Sequence, residues 1–571
     1  MRDPAQLGPV ERARALETLA NRHFDLVVIG GGVTGAGCAL DAAARGLSVA
    51  LVEQRDFASG TSSRSSKLFH GGLRYLEQLD FRLVREALRE RGLMLTRLCP
   101  HLARPVSFLY PLQHPVWERF YVGAGVALYD ALAATGDNPL PRHHHLSRRG
   151  ALAVAPSLRR DALVGAVRYW DAQVDDARHT LTVVRTAARH GAVVASSVQA
   201  TGLEREGDRV VGVRARCVES DRSLVVRGTQ VINATATWTD RIQELVGRGR
   251  LQVRASKGIH LVVPRDRIHS DTGLILRTET SVLFVIPWAS HWIIGTTDTD
   301  WNLDLAHPAA SRTDIDYLLG QVNQVLRSPL THDDIEGVYA GLRPLLTGES
   351  DATSHLSREH AVTQSVPGLI SVAGGKYTTY RVMAADAVDM AARNLPRRVP
   401  PSPTENVPLW GADGYTASWN RRHQLAEESG LHPTRIEHLL RRYGSGIDEL
   451  LDLVADRPEL AEPVPGGDAY LQAELTYAAA SEGALHLDDV LTRRTRLSIE
   501  TFHRGVASAR TGAERMAEVL GWDDATIAAE VQHYEARVEA ERDSQTRPDD
   551  RAADAARLGA PERRHVVPLG T

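Results

Sequence analysis

Cysteine is scarce. The 571 residues hold only Cys38, Cys99 and Cys217, far apart and without a CxxC spacing, which excludes a disulfide framework, a zinc knuckle and a cysteine-held iron–sulfur cluster. A reducing cytoplasm fits such usage. No run approaches the roughly 18 apolar residues that a spanning helix needs, and residues 1–23 mix Arg and Glu where a signal peptide carries an apolar core. Neither export nor a membrane span is expected. A basic excess is missing too: the formal net charge is −4, so the phosphate neutralisation that general nucleic-acid binding rests on is absent, and no nucleic-acid partner is expected. Lysine occurs only at Lys67, Lys257 and Lys376, against 64 arginines. An ammonium kept at three positions is informative because the two cations differ in hydration and geometry.

What remains is ordinary globular composition, 43% hydrophobic and 24% charged, enough to bury a large core. After an N-terminal extension (1–23), residues 24–395 read as one mixed α/β unit. Strands are expected at 24–29 and 48–52 with a helix between them, a long amphipathic helix at 80–98, and a strand-rich middle from about 193 to 299. A Pro-rich linker at 396–410 leads to a helical domain at 411–525. The remainder, 526–571, is expected to be a helical segment followed by a flexible end, since it is rich in Asp, Arg and Ala without apolar periodicity.

Gly30, Gly32 and Gly35 make a GxGxxG spacing directly after the first strand. The first glycine permits the tight turn, the second lets backbone approach a pyrophosphate, and the third allows close helix packing, with the anion at the helix N-terminus. Glu53 closes the next strand, where a ribose hydroxyl is expected. The loop by itself does not separate NAD from FAD. No second loop of this kind follows, since Gly123-Ala124-Gly125 lacks the third glycine, which disfavours an enzyme carrying both.

Three further segments carry chemistry. Residues 61–75 read TSSRSSKLFHGGLRY, a small polar loop followed by a double glycine and a cation. AGLRP at 340–344 places Arg343 after a glycine, and GGKYTTYR at 374–381 places Lys376 after two. Double glycines expose backbone N–H groups, and a helix opening at Thr378 or Thr379 aims its positive end at whatever they hold.

Together these motifs resemble the FAD-dependent, quinone-linked glycerol-3-phosphate dehydrogenases, of the wider D-amino-acid-oxidase-like group. The likeness extends over most of the chain and includes Lys257-Gly258-Ile259-His260, residues 294–298 (IGTTD), and, in the helical part, Glu474, Tyr477, Glu482 and residues 487–496. One departure is visible: where the family reads N-A-x-G-P-W, this chain has Asn233-Ala234-Thr235-Ala236-Thr237-Trp238. The resemblance implies an α/β (α+β) fold: an FAD-binding Rossmann-type domain, an interleaved β-rich substrate-binding region of D-amino-acid-oxidase type, and a C-terminal helical domain. It implies FAD held by Gly30, Gly32, Gly35, Glu53, Ser62, Ser65, Lys67, Val198 and Gly375, and substrate held by His70, Arg74, Tyr75, Arg343 and Lys376.

The implied reaction oxidises sn-glycerol 3-phosphate to dihydroxyacetone phosphate by hydride transfer to FAD, with His70 as base and Arg343 steadying the developing alkoxide. Electrons then pass to quinone, which implies a cytoplasmic protein peripherally attached to the inner face of the membrane, by partial, salt-sensitive contact through an amphipathic surface or the arginine-bearing helical domain. A homodimer is admitted. Rival readings are an oxidase of the same substrate using oxygen, and a flavin-binding interaction protein without catalysis. No metal site is expected. His143-His144-His145 lacks helical ligand spacing and reads as an exposed loop; Asp298 and Asp300 read as turn-shaping or flavin-neighbouring; Arg493, Arg494 and Arg496 read as a solvated face or a domain contact.

Overall fold

A buried strand, His23–Ile29, starts the nucleotide-binding unit, and the chain turns off it at Gly30 into the helix Val33–Ala44 before returning as Val49–Val52. The computed structural model describes residues 4–72, 74–77, 80–114, 116–134, 136, 138–247, 249, 251–279, 282–347, 360–567 and 569. His23–Ile29 lies parallel to Val49–Val52 on one side and Ser223–Asn233 on the other, and the sheet continues to Val193–Ala195 at one edge and Leu369–Gly374 with His360–Val366 at the other. Strands buried on both faces read as unbroken apolar runs, which is why 24–29 and 48–52 were legible. Within the strand-rich middle, Ser223–Asn233 is one unbroken strand.

A second sheet carries the substrate side. Its long strand Val253–Pro264 pairs with Gly337–Leu346 and His291–Gly295, and the sheet continues through Val282–Trp288, Gly273–Arg277, Arg104–Leu112 and Gly165–Gln173. The amphipathic segment expected at 80–98 is the helix Phe81–Leu93 continued by a wider turn at Met94–Leu98. His144–Ser147 is an edge strand paired with Gly165–Gln173 rather than a loop, and His143 is bonded to Asp130. No metal-holding group of His, Cys, Asp and Glu occurs among the described residues.

After residue 402 the chain is mostly helical, and it docks on the oxidoreductase part through buried charge. Asp56 is fully buried and accepts hydrogen bonds from Arg493 at 2.5 Å and from Arg494 at 2.6 and 2.8 Å. Arg496 reaches Asp175 and Asp176, each at 2.5 Å. Burial alone would raise the Asp175 carboxyl, but Arg496 and Arg442 overcome it and hold it far below the usual carboxylate range. These arginines are a domain contact, not a solvated face and not a lipid-headgroup surface. Removing one partner of a buried pair leaves the other charge uncompensated. Asp56→Ala should therefore destabilise the protein by about 3–5 kcal/mol, read as a lowered denaturant midpoint.

The helical segment expected after residue 526 is there, as the helices Asp524–Ser544 and Asp550–Arg557. The stretch beyond them differs from expectation, since Arg564 is buried against Asp489 at 2.8 Å. Ion pairs do here what apolar periodicity does elsewhere, so the composition pointed the wrong way.

Candidate active site

Gly30 has φ +108°, a conformation open to glycine. A Cβ on Gly35 would lie 1.9 Å from the Gly30 carbonyl oxygen, so the helix start can seat against the strand end only without side chains there. Glu53 closes the second strand and accepts from the Gly31 N–H at 2.7 Å and the Arg55 N–H at 2.8 Å. Burial lifts its carboxyl above the usual range, against the pull of these two amides. Ser62 accepts from the Val33 N–H at 2.9 Å, which brings the 61–67 loop to the N-terminus of the nucleotide helix.

From this helix start a cavity of about 690 Å³ runs toward the second sheet, within the range of cofactor and small-molecule sites. Ser62, Ser65, His70, Tyr75, Arg343, Gly375 and Lys376 all line it, although they come from distant parts of the chain. Arg343 stands on the strand Gly337–Leu346, where it donates to the Thr296 hydroxyl at 3.0 Å and the Thr297 carbonyl at 3.1 Å, with Asp298 at 3.6 Å. Asp298 thus neighbours the site, while Asp300 is partly exposed and pairs with Arg254. Lys376 sits 3.6 Å from the centre of the Tyr75 ring, a cation–π contact that holds the two together. The His70 backbone is fixed by Thr378, whose hydroxyl accepts from the His70 N–H at 3.2 Å. Thr378 lies in the short helical turn Tyr377–Thr379, ahead of the helix Tyr380–Ala392.

Two of the residues singled out stand elsewhere. Lys67 does not present its ammonium to the cavity: it is fully buried, donating to Asp176 at 2.7 Å and to the Ser63 carbonyl at 3.1 Å. It anchors the loop from behind. Val198 is buried outside the cavity, with its N–H given to the Glu53 carbonyl at 2.8 Å. Arg74 begins the short helix Arg74–Glu77, but its side chain lies outside the described residues. The departure at 233–238 is explained by backbone: Ala236 has φ +53°, a left-handed conformation that glycine adopts freely and that costs alanine about 1–2 kcal/mol. The turn keeps its place without the glycine, and Ala236 lines the cavity.

Sequence reasoning gave no role to His260. It lines the cavity, bonds the Ser66 hydroxyl through Nε2 at 2.9 Å and stacks on Tyr339 with ring centres 4.7 Å apart. Burial, then the charges of Arg343 and Lys67, push it well below the usual histidine range, so the imidazole is neutral at pH 7. Its buried Nδ1 has no hydrogen-bond partner, a polar atom that a bound group can satisfy. The available signal was the Lys257–His260 motif, whose Gly258 leaves room for Arg343: a Cβ there would lie 2.5 Å from its guanidinium.

Residues 25–381 match the model of the FAD dependent oxidoreductase family, and residues 402–527 that of the C-terminal domain of alpha-glycerophosphate oxidase. A glycerol-3-phosphate dehydrogenase 2 of Mycobacterium tuberculosis is 62% identical over 564 residues, covering 99% of this chain and 96% of the relative. The chain belongs to the FAD-dependent glycerol-3-phosphate dehydrogenase family. The mitochondrial glycerol-3-phosphate dehydrogenase of Homo sapiens is 36% identical over 546 residues, covering 91% of this chain and 74% of that one. The structure of the glycerol-3-phosphate dehydrogenase from Bacillus halodurans complexed with FAD superposes with a TM-score of 0.78 at 30% identity, over 93% of this chain and 98% of that one. FAD is the cofactor, and the residues present fit it: a glycine cradle that a Cβ would fill, a helix N-terminus for the pyrophosphate, and an orphaned imidazole nitrogen in the cavity wall.

Proposed function

We propose that this member of the family oxidises sn-glycerol 3-phosphate to dihydroxyacetone phosphate and delivers the electrons to quinone. The observation that carries this reading is the convergence of Arg343, Lys376, Tyr75 and His70 on one cavity beside the nucleotide helix. A phosphorylated alcohol needs fixed cations for its dianion, and a reacting carbinol needs a proton acceptor and a charge to steady its oxygen. Lys376, with Arg74 as the family resemblance implies, binds the phosphate. Arg343 holds the C2 oxygen as negative charge grows on it, and His70 takes the hydroxyl proton. Bound FAD supplies the two-electron acceptor for the hydride that leaves C2. A catalytically silent flavin protein would have no use for this set of cations.

The acceptor reading rests on the helix Trp117–Ala133. Phe120 is 76% and Trp117 56% exposed, beside exposed Val116, while Tyr121, Val122 and Leu128 of the same helix line the cavity. An apolar surface continuous with the flavin cavity suits a lipid-soluble acceptor, because large aromatic side chains settle at a bilayer interface. No helix among the described residues is long and apolar enough to cross a membrane, so the attachment is peripheral. It is also apolar: with Arg493, Arg494 and Arg496 buried, attachment should resist high salt and yield to mild detergent, in place of the salt-sensitive contact read from sequence.

Anaerobic glycerol 3-phosphate should bleach the flavin of the purified protein, and a quinone analogue should restore its colour faster than dissolved oxygen. No bleaching would overturn the substrate; oxygen-driven recovery with stoichiometric peroxide and indifference to quinone would replace the acceptor and make the protein an oxidase. Trp117→Ser with Phe120→Ser should shift the protein from the membrane to the soluble fraction while substrate still bleaches the flavin. Retention of the double variant on membranes would exclude this helix as the contact.

A further inference from the structure

A second, smaller cavity of about 80 Å³ lies where the helical domain meets the flavin loop, walled by Arg64, Arg493, Arg496, Arg537, Arg557 and His307. Among the described lining residues Glu541 is the single carboxylate. Several of these arginines are matched from outside the cavity, Arg493 by Asp56 and Asp489, Arg496 by Asp175 and Asp176, and Arg537 by Asp488 at 2.8 Å, with Glu541 of the lining also on Arg537 at 2.7 Å. Two are not matched in this way. Arg64 donates to the Ala306 carbonyl at 3.1 Å and pairs with no carboxylate among the described residues. Arg557 is buried, and its nearest carboxylate oxygen, on Glu541 at 3.6 Å, already serves Arg537; its other partner is the His307 ring at 3.4 Å. Burial and the charges of Arg537 and Arg493 push Arg64 down to about 10, and Arg557 is pushed down as well, by burial and Arg537 against the opposing pull of Glu541. In both, burial is the larger cause and the neighbouring arginines add to it.

We propose that this cavity binds a phosphate-sized dianion, gripped by Arg64 and Arg557. A water needs about 10–15 Å³ of such cavity volume, so the cavity has room for several waters or for a tetrahedral oxyanion. Planar guanidinium forks match the oxygens of such an ion, and the surrounding arginines supply the field that makes its desolvation favourable. The site is separate from Arg343 and Lys376, which line only the larger cavity. Arg64 lines both, so the anion would tie the Asp550–Arg557 helix to the wall of the flavin site.

The test is thermal unfolding of the full chain titrated with inorganic phosphate at constant ionic strength, with chloride as control. Because phosphate also meets the substrate cations, the background variant is Lys376→Ala with Arg343→Ala. In that background the melting temperature should rise saturably with phosphate and not with chloride. Adding Arg557→Met should abolish the phosphate-dependent rise, and Arg557→Lys should weaken it, whatever either does to the melting temperature without phosphate. Crystals soaked in selenate should show an anomalous peak between Arg64 and Arg557. A rise that survives Arg557→Met, no saturable rise at all, or a cavity without the peak would each overturn the site.

Discussion

Gly35→Ala should purify with little or no flavin colour. A methyl at that position would lie 1.9 Å from the Gly30 carbonyl oxygen, and that atom is backbone, held in a turn with φ +108°. The helix start must therefore move off the strand end, and its N–H groups move with it, away from the pyrophosphate they are to bind. Overpacking of this kind costs about 1–3 kcal/mol, which is about a 5- to 150-fold loss of cofactor affinity if it falls wholly on the bound state. The control is Gly320→Ala on the helix Arg312–Asn323, away from the glycine loop, where an added Cβ would meet nothing within 4 Å. Visible absorbance relative to protein absorbance after gel filtration separates the two. Equal retention of flavin by both variants would contradict the placement of the cofactor at this loop.

Arg343→Ala should lower kcat by about 100- to 1,000-fold, the effect of losing a fixed donor to a developing oxyanion, about 2.7–4 kcal/mol. Thr296, Thr297 and Ser256 hold the guanidinium in place, so no reorganisation is needed when charge appears at C2. The loss should persist at saturating glycerol 3-phosphate, because the charge exists only as the hydride leaves. Lys376→Ala should behave differently, raising KM for glycerol 3-phosphate and leaving the slow oxidation of glycerol nearly unchanged, since only the former presents a dianion. An Arg343→Ala enzyme that loses affinity but keeps its turnover would reassign that arginine to phosphate binding.

The nucleotide half was legible because local patterns there have one physical solution. An apolar run, three spaced glycines and a returning strand ending in Glu53 can fold in few other ways, and the structure has that unit. His70, Tyr75, Arg343 and Lys376 were picked out through motifs, and the structure brings all four to one cavity. The sequence could not say which way a side chain points. Lys67 belongs to the same motif as His70, yet it turns away to neutralise buried Asp176, whereas His260 turns inward and is kept neutral.

Charge was the least legible feature. Composition made Arg493, Arg494 and Arg496 look like any other arginines, and made the end of the chain look solvated. Each is buried against a carboxylate hundreds of residues away or from another helix. An apolar residue announces its burial through periodicity, because burial favours it by itself. A charged residue is buried only when a partner arrives in three dimensions, and that pairing is decided by the tertiary fold alone.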